Sequence, residues 1–373
     1  RSKYGFPTDV VELRTAHLAA TPEAQKIDLS RDLRMAISEF APGSEVVAAK
    51  KIWKSAGLGV HPRRSWETYQ YSICHQCGKF HHGLDLPPTC TACSAPLRPK
   101  GEFIIPVFGF IAGHDVDTPG EEQPQRTYSS QVYFADYDET RIQKFGESTE
   151  YALVENVFLE IQQRYSKYGW MALVNDGFGH GFRICPTCGW AEVISFTQNA
   201  PVAFGLGQRH GAAPGHNHPV TGEPCTGGTI TRHWGHRYLT EVLELKIFGT
   251  SALLYNPNAM RSRMYALLDG ASQTLGIRRD DIDGTLYYRN YGDPPSLILF
   301  DTVPGGAGHV EHIRNSLRQA AEAGLRKVES CQCGLPNGDT SCYNCLRNYR
   351  NQRYHDDLQR IYAIQLLRMI VNR

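Results

Sequence analysis

Ten of the eleven cysteines in this 373-residue chain fall into close pairs: Cys74/Cys77, Cys90/Cys93, Cys185/Cys188, Cys331/Cys333 and Cys342/Cys345, with Cys225 standing apart. Disulfides between such near neighbours are geometrically awkward, and no secretion-signal pattern opens the chain. Both points favour a reducing, cytoplasmic location with thiolates held for metal. A chain stapled this way is expected to build several small lobes around metal rather than one large apolar core.

Cys74-x2-Cys77 and Cys90-x2-Cys93 together offer four thiolates, a set that suits tetrahedral zinc and leaves no position for a substrate. Cys331-x-Cys333 and Cys342-x2-Cys345 form a second such set, for which an iron–sulfur cluster is the rival assignment. Cys185, Cys188 and Cys225 lack a fourth ligand. His210, His216 and His218 lie in the intervening loop, and His216 or His218 is the expected partner in a site of three cysteines and one histidine. About three structural zinc ions are expected in all.

Charged residues make up 21% of the chain and the formal net charge is +1, so any basic surface is local. No apolar run reaches the length needed to span a bilayer, and no membrane partner is expected. The chain opens at Arg1 inside a strand-like stretch, "YGFPTDVVEL", and is expected to be the C-terminal piece of something larger. Residues 1–65 are read as a β-rich linker segment, 66–100 as a first zinc ribbon and 101–169 as a second β-rich segment. Residues 170–230 are read as a second zinc ribbon with an irregular Gly/His/Pro insertion, "GLGQRHGAAPGHNHPVTGEPC". From 231 onward strands and helices alternate. Met264, Leu267, Leu268, Ala271 and Leu275 recur at helical spacing, as do Val310, Ile313, Leu317 and Ala321 in a helix expected over 307–323. A last helix is expected over 355–371. The fold class is α+β: multi-lobed, with zinc-ribbon-like insertions and a mixed α/β C-terminal domain closed by a four-cysteine zinc site.

The stretch "CQCGLPNGDTSCYNCLRNYRNQRYHDDLQRIYAIQLL", with "YALLDGASQTLGI" and "LILFDTVPGGAGHVEHI" upstream, resembles the MrfA-type zinc-binding domain found at the C-terminus of certain superfamily 2 DEAD/DEAH-box helicases. "SKYGFPTDVVEL" and "SEFAPGSEVVAAKKIWKSAGL" are similar to the linker that follows the helicase lobes in such proteins. Relatives of this kind serve mitomycin repair and the Druantia and DISARM anti-phage systems. The resemblance implies zinc, a DNA-associated role, and an ATP-driven motor in the same polypeptide or in a partner subunit. It makes residues 231–373 the MrfA-type domain. Glu241 stands where that family leads one to expect aspartate.

The chain itself holds no G-x4-GK[ST] phosphate loop and no DEAD/DEAH-like box, so ATP can enter only through lobes outside it. The expected function is a non-catalytic accessory region of a DNA helicase or translocase, binding zinc and touching DNA, the motor, or both. Arg347, Arg350 and Arg353, interleaved with Tyr349, are the candidate nucleic-acid contacts. The glycines of "VPGGAGHVEHI" either hold an anion at a helix start or make a tight turn, and the turn is the preferred reading. A rival enzyme reading takes Glu244, Lys246 and Asp301 or Glu241 as a Mg²⁺-dependent nuclease site. A third reading is a protein-interaction scaffold without DNA affinity.

Overall fold

The computed structural model describes residues 9–15, 27–118, 130–146, 151–156, 159–194, 215–249 and 251–371. The stretch 2–8 and His210 therefore lie outside the described residues, as does most of the 117–126 loop. The strands of the N-terminal half are β1 Val10–Arg14, β2 Ser30–Asp32, β3 Glu45–Ala48, β4 Lys51–Leu58, β5 Glu67–Ile73, β6 Phe80–Gly83, β7 Gly101–Ile105 and β8 Phe110–Asp117. Helix α1, Leu33–Glu39, follows β2. Then come β9 Ser130–Tyr137, α2 Glu139–Phe145, β10 Tyr151–Asn156, β11 Leu159–Asn175, β12 Phe182–Ile184, β13 Ala191–Val193, β14 His216–Asn217, β15 Pro224–Cys225 and β16 Ile230–Gly249. The chain closes with α3 Pro257–Leu275, β17 Ile282–Tyr287, β18 Ser296–Asp301, α4 His309–Asn315, α5 Leu317–Ser330 and α6 Arg360–Val371.

The spine is the antiparallel pair of β11 and β16, 17 and 20 residues long. Each has a different environment at its two ends. Residues 159–165 of β11 alternate between buried and half-buried, whereas 171–175 are buried throughout, so that end is covered on both faces. Between them the register shifts at Ser166/Gly169. A Cβ on Gly169 would run into Val242, and the close approach there needs glycine.

Around this pair an 11-stranded sheet grows, with β18 and β17 added beside residues 242–245 of β16, and β7, β5 and β6 beside residues 233–234. A separate five-stranded sheet, β2-β1-β8-β4-β3, packs with α1 over the N-terminal core. Phe110 and Phe182 both meet Trp234 there, with ring centroids 5.2 and 4.5 Å away.

Helices α3, α5 and α6 cover one face of the sheet, burying Leu243, Leu245, Leu297 and Leu299. The start of α3 is written in Asn256-Pro257. The asparagine side chain accepts from the amides of Asn258 and Ala259, and proline occupies the first turn. Gly276, with φ of 64°, stops the helix. The α3–α5 crossing is tight because a Cβ on Gly270 would strike the Ala320 carbonyl, and one on Gly324 that of Ala266. The opposite face carries a smaller core of Phe134, Met171, Tyr238, Val242, Ile298 and Phe300. The architecture is α+β with zinc-ribbon-like insertions.

Three expectations change. The helix over 307–323 is two helices, α4 and α5, broken at Ser316. The last helix begins at Arg360; residues 349–354 are a 3-10 turn capped by Asn348, whose side chain accepts from Arg350 and Asn351. Part of the expected irregular insertion is regular: β14 and β15 pair His216 with Cys225 and Asn217 with Pro224. No helix among the described residues is long and apolar enough to cross a membrane.

Candidate metal centres and nucleic-acid interface

Three C-x2-C segments fold into the same knuckle. The first cysteine amide donates to the carbonyl five residues on, in Cys74→Lys79, Cys90→Ala95 and Cys185→Trp190, at 2.8–2.9 Å. Its carbonyl accepts from the residue four places on: Gly78, Ser94 and Gly189. Those three residues have φ of 79°, 60° and 82°, the left-handed geometry that turns both sulfurs to one side.

These knuckles build two quartets, Cys74/Cys77/Cys90/Cys93 and Cys185/Cys188/His216/Cys225; a third, Cys331/Cys333/Cys342/Cys345, forms without that pattern, and in each the ligand atoms lie within 4.8 Å of one another. In the first, Cys74 and Cys93 sulfurs are 3.4 Å apart, and Cys77 and Cys90 are 3.6 Å apart. In the third, four sulfur pairs span 3.4 to 3.9 Å. A zinc ion with Zn–S of about 2.3 Å places sulfurs ~3.8 Å apart at tetrahedron corners, so the residues fit a single ion. Iron–sulfur clusters spread their cysteines over several irons and need a wider ring of sulfurs.

In the second quartet it is His216 that lies beside the cysteines. The β14–β15 ladder sets His216 directly opposite Cys225, on the same side of the ribbon. His216 Nε2 lies 3.3 Å from Cys188 Sγ, and its ring stacks on Trp190 at 4.7 Å. Burial, then the charge of Arg183, lowers its pKa and favours the neutral, ligating imidazole. His218 is turned away: its Nδ1 accepts from the amides of Val220 and Thr221 in the hairpin turn.

Electrostatics within the quartets suit a bound cation. At Cys74, burial opposes ionisation, but the amides of Cys77 and Gln76 and the neighbouring sulfurs outweigh it and bring the pKa to about 7. Cys331 reaches about 7 in the same way. Their neighbours move oppositely: burial and the adjacent sulfurs push Cys77 up and Cys333 to about 11, and in the second quartet they push Cys188 to about 12. Each further thiolate is opposed by those beside it, and a divalent ion relieves that repulsion.

Each quartet is bolted to a different part of the fold. The first rests Gly78 on the Tyr288 ring beyond β17, and His81 Nε2 lies 3.3 Å from Cys90 Sγ. The second docks on β4, where the Leu58 amide donates to the Gly189 carbonyl at 2.7 Å. A Cβ on Gly189 would collide with the Leu58 carbonyl, at a φ that already requires glycine. Gly189→Ala is expected to cost about 3 kcal/mol, seen as a lower urea midpoint with an unchanged slope. The third quartet joins the end of α5 to the start of α6. Buried Arg360 donates to the carbonyls of Val328 and Cys333, both at 2.9 Å. Neither His81 nor Arg360 was singled out from sequence. Arg360 carried a signal, a lone arginine at the head of an apolar helical face.

The arginine–tyrosine run after this quartet is more engaged than its composition suggests. Arg350 donates to the Asp280 carbonyl at 3.1 Å, and Arg353 donates to Gln131 and lies 3.8 Å from the buried Asp176 carboxylate. Arg347 donates to Ser341 Oγ. These bonds brace the 349–354 turn against β9 and the loop before β17. Tyr349 is 68% exposed and Tyr343 55%, with ring centroids 5.9 Å apart, forming an aromatic platform beside the quartet.

The nuclease constellation does not assemble. Glu244 pairs with Ile298 across the sheet and faces the side of Val242 and Phe300, whereas Asp301 lies on the opposite face with Leu297 and Leu299. Glu244 is fully buried, accepting from Tyr137 Oη at 2.7 Å and Arg289 at 2.9 Å. Asp301 is spent on the start of α4, accepting from the amides of Ala307, His309 and Val310. Its carboxylate therefore occupies the anion position that the glycine cluster offers. Gly306 packs directly against Glu241, and the cluster is a tight turn.

Residues 264–346, from α3 to the third quartet, match the model of the MrfA Zn-binding domain family. The chain carries an MrfA-type zinc-binding domain. Druantia protein DruE of Escherichia coli (strain UMEA 4076-1) is 24% identical over 398 residues, an alignment covering 98% of this chain and 21% of DruE. The chain with this MrfA-type domain thus spans about a fifth of that relative's length. A crystal structure of DUF1998 helicase MrfA bound to DNA is similar with 11% identity and a TM-score of 0.38, covering 92% of this chain and 32% of that one. A second crystal structure of DUF1998 helicase MrfA is similar with 9% identity and a TM-score of 0.34, covering 87% and 31%.

Proposed function

We propose that this chain is the non-catalytic accessory region of a DNA helicase or translocase acting in repair or anti-phage defence in the cytoplasm. Its three quartets each hold one structural zinc ion through the residues grouped above, and His216 is the nitrogen ligand. The observation that carries this reading is that each quartet is closed, with four protein ligands, and is bolted to a different part of the fold. Closed sites leave no vacancy for a reacting water, so the zinc acts by holding segments that could not otherwise order. ATP is consumed only by motor lobes in the same polypeptide or in a partner.

DNA contact is assigned to the Tyr343–Tyr349 platform, with Arg347, Arg350 and Arg353 supplying the positive field behind it. Base–aromatic stacking is worth about 1–3 kcal/mol per base. Tyr349→Ala is expected to weaken binding of a short single strand about tenfold, measured by fluorescence anisotropy. Wild-type binding should fall steeply between about 50 and 200 mM salt, as phosphate contacts are lost. Absence of binding at low salt, alongside tight binding of a motor subunit, would establish the scaffold reading instead.

A further inference from the structure

One end of the five-stranded sheet gathers cations. Ile111 of β8 has Gly57 of β4 on one side and Arg14 of β1 on the other, so the three strands reach that end together. Two tight turns close it. Residues 106–109 join β7 to β8, with the Gly109 amide donating to the Pro106 carbonyl at 3.0 Å, and His61-Pro62-Arg63-Arg64 follows β4. The cations meet on Phe108. The Arg64 guanidinium lies 5.4 Å from its ring centroid, the His61 ring lies 5.5 Å away, and Arg14 donates to its carbonyl. Arg63 shares the turn, and its amide donates to His61 Nδ1 at 3.2 Å. All three arginines are exposed, and among the described residues none of them forms an ion pair. That includes Glu12 and Glu67, the acidic residues nearest to them in sequence; Glu67 accepts instead from Tyr69 Oη at 3.1 Å.

The cluster is firmly mounted. The Gly59 amide donates to the Gly109 carbonyl at 2.8 Å, and the Gly59 carbonyl accepts from Trp66 Nε1 at 3.1 Å. A Cβ on Gly59 would strike the Arg14 guanidinium, which lies directly against that glycine. The knuckle of the second quartet packs just ahead of the turn: a Cβ on Gly189 would sit 2.9 Å from Val60 Cγ2, beside its bond with Leu58. The second metal centre thus holds the segment that presents Arg63 and Arg64.

On a chain of formal net charge +1, three guanidiniums gathered without carboxylates make a local site for an anion. Their planar forks match phosphate oxygens. Phe108 and Trp66, the rings beside them, are half-buried, and Phe108 already holds Arg64 and His61, so neither is an open stacking platform. Single-strand sites pair positive charge with such platforms, whereas charge alone contacts the backbone of a duplex without reading its bases. We propose that Arg14, Arg63 and Arg64 hold the phosphate backbone of a double-stranded DNA segment. The assignment rests on the DNA-contacting function proposed above and divides it: duplex at this end of the sheet, single strand at the Tyr343–Tyr349 platform.

The test measures binding of a short blunt duplex and of a short thymine single strand by the 373-residue chain, across a salt series. Arg63→Gln with Arg64→Gln should weaken duplex binding at least ~10-fold and lower the slope of log affinity against log salt by about 2. Single-strand binding should change less than about twofold, and Tyr349→Ala should do the reverse, weakening the single strand and sparing the duplex. Arg63→Gln alone should lower the duplex slope by about 1. Its side chain is exposed, so this variant keeps the test valid if the double substitution does not fold. An unchanged duplex slope in both variants overturns the inference and leaves the DNA-contacting function standing, and it does so equally if binding of a motor subunit weakens instead. Equal losses on duplex and single strand overturn the assignment to a duplex. Failure of the unaltered chain to bind either form at low salt overturns both.

Discussion

Cys345→Ser is expected to remove one zinc ion per chain and to destabilise the C-terminal lobe by about 4 kcal/mol or more. Cys345 is 1% exposed and lies in the main apolar core with Leu346, Leu358 and the helices α3, α5 and α6. Losing the ion frees the 331–345 loop. It also frees Arg360, whose bond to the Cys333 carbonyl ties α6 to that loop. Hydrogen exchange should therefore accelerate first in α5 and α6, the helices joined across the quartet. Cys77→Ser should also lose one zinc ion, with a smaller effect on stability. The cysteines of the first quartet pack only in a satellite cluster around Cys74, Cys90 and Ala95. Equal effects of the two substitutions would mean that the third quartet does not organise the core beside it.

Arg289→Leu is expected to cost about 3 kcal/mol, because it strands the Glu244 carboxylate in a fully buried position. Burial works against the charge of Arg289, but Glu244 beside it outweighs that and raises its pKa. Tyr287 and Tyr137 flank the guanidinium at 5.3 and 5.7 Å. Adding Glu244→Gln to Arg289→Leu should recover at least half of the loss, since the stranded charge is gone. A catalytic Glu244 would behave otherwise: Glu244→Gln alone would abolish metal-dependent DNA cleavage while leaving the urea midpoint nearly unchanged. Lys246→Ala is expected to leave any nucleic-acid cleavage at the level of the unaltered chain.

The cysteine spacings are legible because a C-x2-C knuckle is local: its two hydrogen bonds and left-handed turn lie within six residues, as from Cys74 to Lys79. The histidine is not, because the choice between His216 and His218 depends on hairpin register. The two lie two residues apart, on one face by alternation, and it is the His216–Cys225 pairing that brings His216 beside the cysteines and leaves His218 in the turn. Helix α3 is legible from its apolar spacing and its Asn-Pro start. The break at Ser316 is not, since the apolar face continues across it from Ile313 to Leu317 and Ala321. Least legible are the two long strands. The last five residues of β11 are buried on both faces and lose the alternation that marks a strand, and its partner lies about seventy residues away. That non-local pairing also puts Glu244 and Asp301 on opposite faces, which their residue types do not reveal. The arginines at 350 and 353 suggest a free basic surface, but Asp280, Gln131 and Asp176 come from distant segments to meet them.

The most direct test of a zinc-braced accessory region is metal content, measured by plasma emission spectrometry on the purified chain, with unfolding followed after chelation. The expected result is about three zinc ions per chain, no iron, and cooperative loss of structure as the metal is stripped. Fewer than three ions, an iron–sulfur absorption band, or a fold that survives complete removal of metal would contradict it.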